Sequence, residues 1–266
     1  MELLDFLNFC WIEYLKRTPT AKKVFQGLIE YGETVVNDHL AFRTFCHEGI
    51  KKEDLALYFE DQNMKICGHY DFPAKKVSAL HLEHQEKQDF PKVFISEFHY
   101  DEISEENRRI ILDSLSQVEE FSGIEELVQK PRPWNISFES YQKVYDESEY
   151  AAWLLAYGFF PNHFTVSVKD LKHFFKLQDL NDWLNQQGVE MNELGGLIKG
   201  SQEKLLEQSA TIADLGKVNF TDGTYEVPTC YYEFAKRYPD ERGHIFQGFI
   251  TENADKIFES TNNGKR

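Results

Sequence analysis

The sequence predicts an α+β fold made of two βαβββ units, whose sheets form a curved half-barrel around a shared site. Two observations predict this fold. The order of one strand, one helix and three strands occurs twice along the chain, and the first strand of each copy carries a histidine, His39 or His163. Sheets of this kind bury one face under helices. We therefore expect the other, concave face of the two sheets to be available to a ligand.

The N-terminal part and the first unit can be assigned from residue patterns. Residues 1–32 are expected to form two helices divided at Thr18-Pro19-Thr20, because proline begins helices but does not continue them. The first unit covers 33–100. It opens with the strand NDHLAFRTF, followed by KKEDLALYFEDQ, whose apolar residues have helical spacing. Three short strands are then predicted to begin at Met64, Val77 and Lys92.

The second half of the chain repeats this order after a helical insertion, 101–160, in which Ser104 and Ser137 are suitable N-caps. The second unit covers 161–251. Its elements are a strand NHFTVSV, a helix over 171–187 that stops at Gly188, and strands at 196–201, 209–218 and 227–236. A polar tail, 252–266, ends a chain that we interpret as a single catalytic domain, 1–266.

The charge balance argues against two classes of partner. The chain has 29 Lys plus Arg against 45 Asp plus Glu, a net charge of −16, so nucleic acid and anionic membranes would repel it. A small anion held in a local basic cleft remains possible. The four cysteines form no CxxC or zinc-finger pattern, and the acidic N-terminus lacks the basic region of a signal peptide. We expect free thiols and a cytoplasmic protein.

Four residues form the best candidate site. His39 and Arg43 lie on one face of the first strand, roughly 13 Å apart along it. His163 opens the second unit, and Glu233 lies in its last strand among apolar neighbours, where a carboxylate is costly to bury without a cation. Two histidines and one carboxylate suit ferrous iron, although zinc or manganese would also accept them. One competing set of ligands is His81 with Glu83. Another candidate is Glu97, which we expect to occupy in the first unit the position that Glu233 occupies in the second.

At this point the sequence resembles a known family. NDHLAFRTF, NHFTVSV, TYEVPTCYYEFAKRYP and GFITENADKIFEST resemble the 2-oxoadipate dioxygenase/decarboxylase (hydroxyglutarate synthase) family, which is related to the vicinal oxygen chelate superfamily. The chain resembles a short bacterial-type member. The resemblance implies an Fe(II)-dependent enzyme that converts 2-oxoadipate, or a close dicarboxylic 2-oxo acid, and O2 to 2-hydroxyglutarate and CO2.

The resemblance also implies roles for individual residues. His39, His163 and Glu233 match the metal ligands, and Arg43 matches the catalytic arginine that holds a substrate carboxylate. The stretch Phe249-Ile250-Thr251 matches a substrate-contacting segment near the family's C-terminus, and within it we expect Ile250 and Thr251 to bind the substrate. Two alternatives stay open at this stage: a metal-dependent hydrolase or isomerase on the same fold, and a non-catalytic module that binds a metabolite. The residues do not indicate an oligomeric state.

Overall fold

The chain forms one large sheet, a separate hairpin and helices around them. In this computed structural model, the described residues are 1–87, 89–121 and 123–261. The strands are β1 (Asn37–Phe45), β2 (Met64–Phe72), β3 (Val77–His84), β4 (Lys92–Phe98), β5 (Pro161–Ser167), β6 (Lys199–Ser201), β7 (Leu206–Ala210), β8 (Leu215–Phe220), β9 (Gly223–Pro228) and β10 (Tyr231–Arg237). The helices are α1 (Leu3–Arg17), α2 (Pro19–Glu30), α3 (Lys52–Asp61), α4 (Glu105–Leu115), α5 (Ile124–Gln129), α6 (Phe138–Glu147), α7 (Glu149–Tyr157), α8 (Leu177–Gln186) and α9 (Thr251–Phe258).

The sheet confirms the prediction of two βαβββ units. Its strand order is β2-β3-β4-β1-β5-β10-β7-β6, and it curls into a half-barrel. In the first unit β1 pairs in parallel with β4, and in the second β5 pairs in parallel with β10. The two units therefore have the same internal order and meet through the antiparallel pair β1–β5. This junction brings the two histidine-bearing strands side by side.

The predicted strand boundaries of the second unit are wrong in two places. We expected strands at 209–218 and 227–236, but each of these ranges covers parts of two strands. Strands β8 and β9 form a separate two-stranded hairpin between β7 and β10. Apolar residues continue through the turns at both ends of this hairpin, so the sequence pattern does not mark its boundaries.

Helix starts follow their capping residues closely. Ser104 and Ser137 accept hydrogen bonds from Asn107 and Ser140 backbone N–H groups, as predicted. A further cap at Ser148 divides the helical residues after Ser137 into α6 and α7. The helix of the second unit begins at Leu177 and not at 171. In the stretch before it, the Glu33 carboxylate accepts the backbone N–H groups of residues 172 and 173.

The expected polar tail is partly a helix. Residues 251–258 form α9, whose Ala254, Ile257 and Phe258 are buried. Their spacing is that of one helical face, and the helix packs against β2, β6 and β7. Residues 262–266 of the predicted tail lie outside the described residues.

The packing of β1 determines which of its side chains face the site. Phe42 packs against Phe6 of α1, with ring centroids 6.2 Å apart, and against Phe59 of α3, at 6.1 Å. Side chains alternate along a strand, so His39 and Arg43 lie on the opposite, inner face. No helix in the described part of the chain has both the length and the apolar character needed to cross a lipid bilayer.

A glycine forms the turn that leads into β5, the strand that carries His163. Gly158 ends α7 with φ +66°, and a Cβ atom there would lie 1.6 Å from the carbonyl oxygen of Pro131. Only glycine fits this turn, because any side chain would clash with backbone.

Candidate metal centre

Three predicted residues converge on the inner face of the half-barrel. One ligand atom each from His39, His163 and Glu233 lies within 4.8 Å of the other two. Glu233 Oε1 is 3.7 Å from His39 Nε2, and Oε2 is 3.3 Å from His163 Nε2. Adjacent ligands of an octahedral first-row metal are separated by about 3 Å, since each bond is about 2.0–2.2 Å long. The three side chains are therefore nearly in position to bind one ion.

Strand register explains this convergence. Thr165 of β5 is the Cα partner of His39 on β1 and of Glu233 on β10. His163 lies two residues earlier on β5, on the same face. The Thr165 hydroxyl lies 3.0 Å from His39 Nε2. The centre is thus built across three neighbouring strands, at the junction of the two units.

A bulge precedes each histidine. The β1–β5 register shifts between Asn37 and His39, and again opposite Asn162. A bulge re-aims the extra residue. Accordingly, Asp38 Oδ1 lies 2.8 Å from His39 Nδ1, and Asn162 Oδ1 lies 3.1 Å from His163 Nδ1. With Nδ1 bonded to an oxygen in both rings, each Nε2 keeps a lone pair that can bind a metal, which is the usual arrangement around metal-binding histidines. In His39 this lone pair faces the Thr165 hydroxyl.

Asp38 is held by a buried arginine. Arg237 Nε and Nη2 donate to its two carboxylate oxygens at 2.7 and 3.0 Å. Burial alone would raise the pKa of Asp38, but Arg237 and His39 together hold it well below its usual range. Arg237 also donates to the carbonyl oxygens of Phe246 and Gly248. One arginine therefore connects His39, through Asp38, to the segment that precedes α9.

Glu233 has a different environment. Gln208 donates to its Oε1 at 2.6 Å, and Asn253 of α9 in turn donates to Gln208 Oε1. Among the described residues, no lysine or arginine lies within ion-pair distance of this buried carboxylate. Burial raises the pKa of Glu233, and His39 opposes the rise. A divalent cation would supply the missing charge, so the donor set fits a metal ion.

The competing carboxylates lie elsewhere. Glu83 is bonded to His81 Nε2 at 3.0 Å, and the His81 ring is separated from the centre by Phe249. Glu97 faces α3, where Lys52 binds it through both Nζ and the backbone N–H. We expected Glu97 to be the counterpart of Glu233, and this expectation is wrong.

The register identifies the true counterpart of Glu233. Lys92 is the sheet partner of His39, and Tyr231 is the sheet partner of His163. Two residues further along each strand lie Phe94 and Glu233. The position equivalent to Glu233 in the first unit is therefore occupied by Phe94, and Glu97 lies on the other face of the strand.

Comparison with known proteins decides the family. A model of the 2-oxoadipate dioxygenase/decarboxylase family matches residues 12–240. The chain belongs to this family. The chloroplastic 2-oxoadipate dioxygenase/decarboxylase of Arabidopsis thaliana is 34% identical over 278 residues, which is 93% of this chain and 74% of the plant protein.

Solved structures of related proteins have the same fold. Hydroxyglutarate synthase from Oryza sativa, in complex with 2-oxoadipate, has a TM-score of 0.90 and 31% identity, covering 97% of this chain and 91% of that chain. A protein of Shewanella frigidimarina with a provisional hydrolase label has a TM-score of 0.87 and 41% identity, covering 94% and 98%. The match over nearly all of each chain shows that this chain shares their fold.

Arg43, which this family resemblance singled out, is buried on the same inner face. Its guanidinium carbon lies 4.5 Å from the ring centre of Tyr150 and 5.2 Å from that of Trp153. None of its three side-chain nitrogens has a hydrogen-bond partner among the described residues. Such a guanidinium is suited to binding an anion.

The predicted C-terminal segment lies beside the centre. Its Phe249 contacts the centre, with its ring 4.8 Å from the ring centroid of His39. Ile250 and Thr251 follow, half-buried at the start of α9. Asp38 and Arg237 are site residues that were not predicted from the sequence. The Asp-His and Asn-His pairs at the two strand starts were a usable signal for Asp38.

The cavity at the centre is small. Phe94, Phe249 and three residues of α9, Ala254, Ile257 and Phe258, wall it in beside the three candidate ligands. The space inside it that a water-sized sphere can occupy is about 20 Å³. That is enough for an ion or one water molecule but not for a six-carbon acid. A substrate must therefore displace part of this wall.

Proposed function

We propose that this chain is an Fe(II)-dependent dioxygenase that converts 2-oxoadipate and O2 to 2-hydroxyglutarate and CO2. The observation that carries the proposal is the buried set of His39, His163 and Glu233, on the inner sheet face of a chain that belongs to the 2-oxoadipate dioxygenase/decarboxylase family. The relative crystallised with 2-oxoadipate supports the choice of substrate. The equation balances, since the six carbons of the substrate are divided between a five-carbon hydroxy acid and CO2.

The proposed ligands favour iron chemistry. Two histidines and one carboxylate on one face are typical of non-haem Fe(II) oxygenases. When bound, ferrous iron would supply open coordination positions for a chelating 2-oxo acid and for O2. The protein's part is to hold its three ligands on one side, so that the other side is left for these reactants.

The surrounding residues would perform the positioning. Asp38 fixes the ring of His39, and Gln208 fixes the carboxylate of Glu233. Arg43 would bind a substrate carboxylate as a charge-assisted pair and so orient the carbon chain. The aromatic wall formed by Phe94 and Phe249 would limit the access of water to the reacting centre.

We also propose the cytoplasm as the compartment. All four cysteines are free thiols, and Cys67 is exposed. Free thiols persist in reducing compartments. The plant relatives are named as chloroplastic proteins.

Oxygen uptake tests the proposed function. The protein would be reconstituted with Fe(II) without air and then mixed with O2 and 2-oxoadipate, or with its shorter and longer homologues, while products are identified by mass spectrometry. We expect uptake of one O2 for each 2-hydroxyglutarate formed. Glu233→Gln should abolish uptake, whereas Glu97→Gln, which removes a buried carboxylate elsewhere, should retain it. Failure to consume O2 with any 2-oxo acid would refute the proposal, and turnover without O2 would favour the isomerase or hydrolase alternative.

A further inference from the structure

We propose that Tyr231 and Arg43 together form the binding site for the distal carboxylate of the substrate, and that the Tyr231 hydroxyl makes this chain select dicarboxylic 2-oxo acids. The inference rests on the proposed function and names a residue that neither the sequence analysis nor the family resemblance had assigned. Its basis is a pair of buried donors on the inner sheet face beside the metal centre.

Tyr231 lies on the same face as the candidate ligands. It precedes Glu233 by two residues on β10, so the two side chains point to the same side. It is the sheet partner of His163, and their rings stack with centroids 4.6 Å apart and an interplanar angle of 23°. The next residue, Tyr232, points to the other side, where its ring lies 6.0 Å from that of Trp11.

The donors of Tyr231 and Arg43 are both unsatisfied. The Tyr231 hydroxyl and all three side-chain nitrogens of Arg43 are inaccessible to solvent and lack a hydrogen-bond partner among the described residues. The two groups are close enough to interact electrostatically. Leaving a buried donor unpaired is unfavourable, and a guanidinium without a counter-charge is worse. Two converging sets of donors, one of them cationic, require an acceptor that carries negative charge.

A carboxylate satisfies both groups. It can accept two parallel hydrogen bonds from the guanidinium and a further one from the phenol, because each of its oxygens has two lone pairs. The faces of Tyr150 and Trp153 fix the plane of Arg43 but cannot accept its N–H groups in that plane. If the 2-oxo acid end of the substrate chelates the metal, the carboxylate left for Arg43 and Tyr231 is the distal one.

The surrounding space supports this assignment. Arg43 also lines a surface cavity, and Phe258 of α9 lines both that cavity and the one at the metal centre. The guanidinium carbon of Arg43 lies 5.9 Å from the Phe258 ring centre. Displacement of this one ring would therefore join the two cavities. A single dicarboxylate could then reach from the metal centre to Arg43.

Two tyrosine variants test the inference. Tyr231→Phe keeps the ring that stacks on His163 and removes only the hydroxyl. Tyr232→Phe is its control, because it also removes a buried hydroxyl without a hydrogen-bond partner among the described residues, from the neighbouring position on the other face. Binding of adipate, and of 1-hexanol as a six-carbon ligand without a carboxylate, would be measured by calorimetry on protein without added metal. KM and kcat would be measured with 2-oxoadipate and 2-oxohexanoate on the Fe(II)-loaded enzyme.

We expect Tyr231→Phe to weaken adipate binding and to raise KM for 2-oxoadipate about tenfold each, the usual effect of losing one hydrogen bond to a charged group. 2-Oxohexanoate, which has no distal carboxylate, should be unaffected, as should every measurement on Tyr232→Phe. Equal effects on the two 2-oxo acids, no effect of Tyr231→Phe, or wild-type protein that binds adipate no better than 1-hexanol would overturn the inference. Absence of oxygen uptake with intact, Tyr231-dependent adipate binding would instead refute only the proposed function.

Discussion

Replacing Asp38 by Asn should weaken both the fold and metal binding, through two separate contacts. The substitution preserves shape but removes the negative charge between Arg237 and His39. Arg237 would remain buried, with about 1% of its side chain exposed and no carboxylate to pair with. Loss of one partner from a buried ion pair costs about 3–5 kcal/mol of unfolding free energy. Because asparagine can still accept one hydrogen bond, we expect a loss near the lower end of that range.

The effect of Asp38→Asn on the metal has a different cause. The amide no longer draws a proton strongly to Nδ1 of His39, so the ring is less firmly held with Nε2 towards the centre. Loss of such a partner typically lowers metal affinity 10–100-fold. Unfolding would be followed in urea with a chelator present, so that metal binding does not contribute to stability. Affinity for Fe(II) and Mn(II) would be measured separately, by competition with a chromophoric chelator under anaerobic conditions.

Glu97→Gln is the matched control for Asp38→Asn. It breaks another ion pair, between the buried Glu97 and the partly buried Lys52, on the sheet face away from the metal centre. The control should lose stability and keep its metal affinity within about twofold, since it touches no ligand. If Asp38→Asn lowered metal affinity no more than Glu97→Gln does, the idea that Asp38 orients His39 would be refuted.

Three further predictions follow from particular contacts. Glu233→Ala should abolish stoichiometric metal binding measured by elemental analysis after dialysis, and His39→Ala should do the same. Phe258→Leu should lower KM for 2-oxoadipate severalfold in steady-state assays, because a smaller side chain would separate the two cavities less completely; an unchanged KM would contradict this. Burial acts to raise the pKa of Glu97, but the ion pair with Lys52 outweighs burial and holds that pKa below its usual range. The stability difference between wild type and Glu97→Gln in urea should therefore be full above about pH 5 and should shrink as pH falls below about 4, since the unfolded carboxyl titrates near 4.3.

The sequence predicts the fold well where a pattern has a local cause. Alternation in β1 placed His39 and Arg43 on one face, and Ser104 and Ser137 began helices as expected. The failures lie where the sequence carries no local signal. In the stretch before α8, backbone N–H groups donate to Glu33, which is distant in sequence. No propensity in that stretch could have indicated such a contact.

The three candidate metal ligands could be predicted from the sequence, but the residues that hold them in position could not. Two histidines at equivalent strand starts and a buried glutamate sufficed to select three side chains that the fold then brings together. Arg237 could not be selected, because its partner Asp38 lies 199 residues away and its orientation depends on a bulge. The segment of Phe249 was selected by the family resemblance alone, because its path over the sheet has no sequence signature of its own.

The two units are related by pseudo-symmetry, but they differ at one position that matters for metal binding, where the first unit has Phe94 and the second has Glu233. Each unit offers one histidine on its first strand and one inner-face position on its last strand, so a fully symmetric pair would present two histidines and two carboxylates. Only the second unit supplies a carboxylate, Glu233, because its counterpart in the first unit is Phe94. In the proposed function, a fourth protein ligand would occupy a position that a chelating substrate and O2 need. Phe94 would therefore leave one side of a bound metal open to reactants, and it also forms part of the apolar wall of the cavity.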